Sequence, residues 1–188
     1  DLDQYKLLII STHPEYWSQE MYFKVKEWVF ERGGKLMYLG GNGLNCDVEF
    51  IDETTCIYRN EDCNRLREDG SPFESRFHMR HESEANLLGV VYDQRGIMTA
   101  APYRVLDADH WIFEGTGLAN GDLFGTNSQQ QRIPGGASGH ETDKRSPNSP
   151  AGTVVLARGE NPDGGGGEVV TFETESGVPL DRFFERWI

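Results

Sequence analysis

The stretch from Leu7 to Gly40 constrains this chain more than any other, because an apolar run, a helical period and a second apolar run follow one another there. Leu7, Leu8, Ile9 and Ile10 are apolar without alternation, the pattern of a strand covered on both faces. Ser18 reads as an N-cap, with Glu20 and Met21 in the first turn of a helix. Met21, Val25, Trp28 and Val29 recur at helical spacing, while Lys24, Lys26, Glu27 and Glu31 supply the polar face. Gly33 and Gly34 end the helix, since glycine accepts the left-handed backbone that a helix terminus needs. Leu36 to Leu39 form the second strand. Strand, helix and strand in this order predict a βαβ unit with parallel strands and a right-handed crossover.

In such a unit, ligands bind beyond the carboxyl ends of the strands. The loop after the first strand carries His13 and Glu15, and the loop after the second carries Gly40, Gly41, Asn42 and Gly43. An imidazole and a carboxylate separated only by Pro14 can share one task, with Glu15 as base or metal ligand and His13 as acid, base or orienting group. Asn42 offers an amide donor and acceptor to a carbonyl substrate. Glu141, between His140 and Asp143 in a glycine-bounded loop, is a candidate to complete the site. Glu141 and Asp143 also read as ordinary solvated loop acids, and Gly-Gly-Asn-Gly as an ordinary turn.

The remaining segments predict strands around Val48 to Ile51, Thr55 to Arg59, Tyr103 to Leu106, Trp111 to Phe113, Thr153 to Arg158 and Glu168 to Glu173. Leu87 to Tyr92 reads as a strand, or a helix end leading into one, and Leu180 to Trp187 as a short terminal helix. His78 and His81 share a spacing that metal ligands use on a helix, with no third ligand at matched spacing. Ser11 is not in a Gly-x-Ser-x-Gly elbow, and the glycine run at 164–167 lacks a following Lys-Ser, so serine-hydrolase and phosphate-loop chemistry are disfavoured. A net charge of −13, from 31 acidic and 18 basic residues, argues against a nucleic-acid backbone or an anionic membrane as partner. No apolar run approaches the ~20 residues of a membrane span, and no signal peptide opens the chain. Cys46, Cys56 and Cys63 make no Cys-x-x-Cys pair, and reduced thiols in a cytoplasmic protein are the simplest reading.

Several of these blocks resemble one family. Thr12-His13-Pro14-Glu15-Tyr16-Trp17, Gly33-Gly34 and Tyr38-Leu39-Gly40-Gly41-Asn42-Gly43 are similar to the C-terminal part of the large subunit of N,N-dimethylformamidase. The likeness continues through Trp111 to Gly117, Gly121-Asp122, Phe124-Gly125, Gly139 to Asp143, and Gly165 to Glu173. It implies hydrolysis of the C–N bond of a small formamide or amide by metal-activated water. It also implies a mononuclear iron held by two tyrosines and a glutamate, the glutamate corresponding to Glu15, with His13 near the metal-bound water. By the same resemblance Asn42 and Glu141 belong to the catalytic set, and Arg59 is the candidate substrate-binding cation. The two tyrosines lie upstream in the family, outside this chain, so the iron site here is half-built, and a non-catalytic domain with the same fold stays open as an alternative. An oligomer or partner subunit is compatible with it.

The fold expected from both the βαβ unit and the resemblance is α/β: a layered sheet of glutamine-amidotransferase or flavodoxin-like type with β-rich insertions. Residues 1–188 are expected to form a single domain that lacks its first strand.

Overall fold

The computed structural model describes residues 1–58, 76–127 and 134–175. Arg59, the charged run Glu61 to Asp69 and the expected helix at Leu180 to Trp187 lie outside the described residues.

The βαβ unit forms. Strand β1 (Leu7–Thr12) is followed by the short β2 (Tyr16–Trp17), helix α1 (Gln19–Phe30) and β3 (Lys35–Gly40). β1 and β3 run parallel, in register from Leu7 beside Lys35 to Thr12 beside Gly40. Helix α1 is capped twice. Ser18 Oγ accepts from the Met21 amide at 3.3 Å, and Asp47 Oδ1 accepts from the Gln19 amide at 3.2 Å. At its end Gly33 takes the left-handed backbone with φ +72°, and the Gly34 amide reaches back to the Trp28 carbonyl at 2.9 Å. Gly34 also lies flat against the Trp28 ring, where a Cβ would overlap the indole.

The buried face of α1 is Tyr22, Val25, Trp28 and Val29. Met21, expected on that face, is 42 % exposed, and Tyr22 takes its place. The reason is tertiary. The Tyr22 ring packs against Phe77 at 4.4 Å, and its hydroxyl donates to Glu82 at 2.8 Å. Leu44, Leu87, Leu88 and Val90 close this core, with Leu8, Leu36 and Tyr38 reaching it from the parallel strands.

Beyond β3 the layered α/β expectation fails. The strands become short: β4 (Cys46–Asp47), β5 (Glu49–Phe50) and β6 (Cys56–Ile57). Helices α2 (Phe77–Arg80) and α3 (Ala85–Leu88) are single turns. Neither is long enough for a crossover returning the chain to a parallel neighbour. The chain turns back locally instead, through β7 (Val91–Asp93), β8 (Ala100–Ala101), β9 (Tyr103–Val105), β10 (Leu123–Phe124), β11 (Ser138–Gly139), β12 (Thr142–Lys144), β13 (Val154–Gly159) and β14 (Glu168–Thr171). These strands pair antiparallel: β12 with β7, β11 with β8, and a sheet in the order β10-β9-β13-β14. The described residues thus form a β-rich structure around one βαβ unit, not a flavodoxin-like layered sheet. A second apolar cluster, Val105, Phe113, Leu156 and Ala157, sits under the four-stranded sheet. Trp111–Phe113 is a 3-10 turn rather than the expected strand, because His110 Nδ1 caps the Ile112 amide at 3.3 Å.

Candidate functional site

Two loops beyond the carboxyl ends of β1 and β3 are fastened side by side. The carbonyls of Pro14, Glu15 and Trp17 accept from the amides of Leu44, Cys46 and Val48 at 2.8, 2.8 and 3.0 Å. This extends the parallel pairing into β2 and β4, with Tyr16 beside Cys46. Strand β12 comes in from the far half of the chain and completes the group. The glycines of the second loop give room for these approaches: a Cβ at Gly41 would run into the Glu141 carbonyl, and one at Gly40 would lie 2.7 Å from the Thr12 carbonyl.

Four of the residues singled out from the sequence meet here. His13 Nε2 is 2.9 Å from Glu15 Oε2, and His13 Nδ1 is 3.3 Å from Glu141 Oε2. Asn42 Nδ2 donates to Glu141 Oε1 at 3.2 Å. The imidazole therefore bridges two carboxylates, and the second carboxylate holds the amide. Glu15 and Asn42 are buried, Glu141 is partly buried, and the His13 side chain is 46 % exposed. Arg59, the fifth, lies outside the described residues. A ring protonated on both nitrogens donates to both carboxylates; a ring protonated once pairs well with only one. Burial raises the Glu141 carboxyl above its ordinary value, the nearby Glu15 adds to this, and His13 and Asn42 oppose it.

Backbone strain collects around this group. Thr12, Asn42, Leu44 and His140 all have φ between +54° and +75°. For a β-branched residue such as Thr12 this is an uncommon conformation, and such residues persist where the surroundings hold them in place.

Sequence reasoning missed several neighbours. Cys46 Sγ lies 3.7 Å from Glu15 Oε1, and the Tyr16 hydroxyl also bonds Glu15. Burial and that bond push the Tyr16 phenol upward, so it stays a donor. Asp143 is buried, not a solvated loop acid. It accepts from the Tyr38 hydroxyl and from the Asn42 amide, each at 2.7 Å, and from the Gly43 amide at 3.2 Å. The i, i+2 spacing of Glu141 and Asp143 is the one signal the sequence offers, and it does not say what the pair faces. A cleft of about 610 Å³ runs between β3 and β14, walled by Leu36, Leu88, Trp111, Val170 and Phe172, and reaches Glu141.

His78 and His81 do not share a ligand site. His78 pairs with the buried Glu84 at 3.2 Å, and His81 pairs with Asp47 at 2.9 Å. The iron implied by the resemblance can be tested against the donors present. Among the described residues no three His, Cys, Asp or Glu side chains converge to hold a metal ion. Both Glu15 oxygens already face protein groups, Oε2 toward His13 and Oε1 toward Cys46. The described residues therefore do not fit a complete iron site, which needs about three protein ligands.

The two loops of one βαβ unit and a segment from the far half of the chain thus bring together an imidazole, two carboxylates and an amide at the carboxyl ends of β1 and β3. The chain is a member of the N,N-dimethylformamidase beta subunit-like, C-terminal family, whose model matches residues 1–180. A comparison with curated proteins found no match. No helix among the described residues is long and apolar enough to cross a membrane.

Proposed function

We propose that this chain is the domain of an amide hydrolase that moves protons during cleavage of the C–N bond of a small formamide or amide. One observation carries this reading: both ring nitrogens of His13 face a carboxylate, Glu15 on one side and Glu141 on the other. In the reaction a water oxygen bonds to the carbonyl carbon, the C–N bond breaks, and the amine leaves with a proton. His13, held by Glu15 at Nε2, takes the proton at Nδ1 from a water bound beside that nitrogen and Glu141. Glu141, whose carboxyl burial holds more readily protonated, gives a proton to the departing nitrogen. Asn42, tied to Glu141, orients the amide. Arg59 is the proposed substrate-binding cation.

Glu15 is the carboxylate this chain offers to an iron, in a site that needs donors from outside the described residues. Family membership supports a hydrolase-related role and, through its beta-subunit description, a partner subunit. The free thiols of Cys46 and Cys56 fit a reducing, cytoplasmic setting. A single domain over 1–188 is part of the same proposal. The incomplete donor set favours one second reading, a structural domain without catalysis.

The test is Glu15→Ala in the full-length protein, with iron content and amine release from N-methylformamide measured together. The hydrolase reading expects both to fall to background. Iron unchanged from wild type rules out the ligand role, and unchanged amine release overturns the catalytic role.

A further inference from the structure

The proposed chemistry depends on where Asn42 stands, and its position is built from an unexpected direction. Its backbone is left-handed, with φ +54°, in a loop whose neighbouring glycines impose little of their own shape. Strand β12 supplies what the loop lacks. Asp143 Oδ1 accepts from the Asn42 amide at 2.7 Å, and Oδ2 accepts from the Gly43 amide at 3.2 Å and from the Tyr38 hydroxyl at 2.7 Å. Asp143 is only 5 % exposed. On the same face of the same segment, Glu141 takes the Asn42 side chain at 3.2 Å. One carboxylate thus holds the main chain of Asn42 and the other holds its amide.

We infer that Asp143 is a positioning residue of the amide-hydrolase site: by holding the Asn42 and Gly43 amides against β12, it fixes the Asn42 side chain toward Glu141. This rests on the hydrolase reading above. A carboxylate suits the task because two consecutive amides and a phenol all donate into it, and an acceptor-only group meets all three without a misplaced hydrogen. Replacement by Asn turns an NH2 toward at least one of those donors. Burial raises the Asp143 carboxyl above its ordinary value, and the bonds from Tyr38, Gly43 and Asn42 oppose that push. Tyr38 lies within β3, so the clamp also joins the parallel strands to β12.

The test uses the full-length enzyme with N-methylformamide as substrate and amine release as readout. Asp143→Asn, Asn42→Ala and the double variant form a cycle. A residue acting through Asn42 predicts that Asp143→Asn lowers kcat by about 10- to 100-fold with KM moved by less than about threefold, and that it adds less than about twofold once Asn42 is Ala. Tyr38→Phe removes one of the three bonds, keeps the carboxylate on both amides, and is expected to cost only a few-fold in kcat. Additive losses in the cycle, or a wild-type kcat in Asp143→Asn, overturn the inference. Hydrogen exchange separates this outcome from failure of the hydrolase reading. If the wild type releases no amine, the hydrolase reading falls. The clamp is then read from the Asn42 and Gly43 amides, which must be protected in the wild type and exposed in Asp143→Asn while α1 stays protected. Free exchange of those two amides in the wild type overturns the clamp whatever the activity.

Discussion

Substitution of Gly41 by Ala probes the contact on which the candidate site is built. Gly41 lies directly against the Glu141 carbonyl, and a Cβ there would overlap that oxygen. Its φ is not in the left-handed region, so any cost comes from contact and not from backbone preference. Neither partner yields cheaply. The loop is bonded to Asp143 through Asn42 and Gly43, and β12 is paired with β7. Overpacking of this kind costs about 1–3 kcal/mol, and separating Asn42 Nδ2 from Glu141 adds about 0.5–1.5 kcal/mol. At about 2–4 °C per kcal/mol for a chain of this size, Gly41→Ala should melt about 3–18 °C below wild type. Circular dichroism melts of Ala, Ser and Val at this position should fall in that order of size. Gly117 is the control, with φ +72° and nothing within 4 Å of an added Cβ. There the cost is conformational, about 1–2 kcal/mol for any L side chain other than Asn or Asp, and side-chain size should not matter. A Gly41→Ala protein melting within about 1 °C of wild type refutes the close approach of the two segments.

Two further expectations test the frame around the site. Trp28 is 2 % exposed at the centre of the α1 core, so Trp28→Ala should lower stability by about 3–5 kcal/mol, read as a shift of the urea midpoint at unchanged slope. Hydrogen bonds from Arg95, then from Lys144, hold the Asp93 carboxyl well below the ordinary Asp range. A carboxyl depressed on folding adds stability that is present above its unfolded value of about 3.9 and is lost as pH falls through the folded one. Asp93→Asn should therefore cost stability at pH 7 and flatten the acid limb below about pH 4; melts between pH 2 and 7 check this, and an unaltered limb counts against the pairing.

How much of this was legible in the sequence follows from how local each signal is. The βαβ unit was readable because its cues lie within a few residues: the Ser18 cap, the helical period and the Gly33-Gly34 stop. The two loops carrying His13, Glu15 and Asn42 followed from the same unit, since parallel strands place both at one end. Extending it into a layered α/β fold failed, because among the described residues nothing after β3 supplies a second long helix; α2 and α3 are single turns, and later strands find antiparallel neighbours. Tyr22 displaced Met21 on the helix face through a partner, Phe77, far along the chain. Asp143 was hidden for the same reason. Its three donors come from Tyr38, Asn42 and Gly43, and no local pattern announces a pairing across that separation.

The central claim is that His13, Glu15, Asn42 and Glu141 work as one acid–base site on an amide. Its most direct test is kcat/KM for amine release from N-methylformamide by full-length Glu141→Gln, with melting temperature as the check on folding. Gln keeps the shape and the Asn42 contact but cannot exchange a proton with the departing nitrogen. The account predicts a fall of about 100-fold or more at near wild-type melting temperature. A folded Glu141→Gln enzyme with kcat/KM within about twofold of wild type contradicts it.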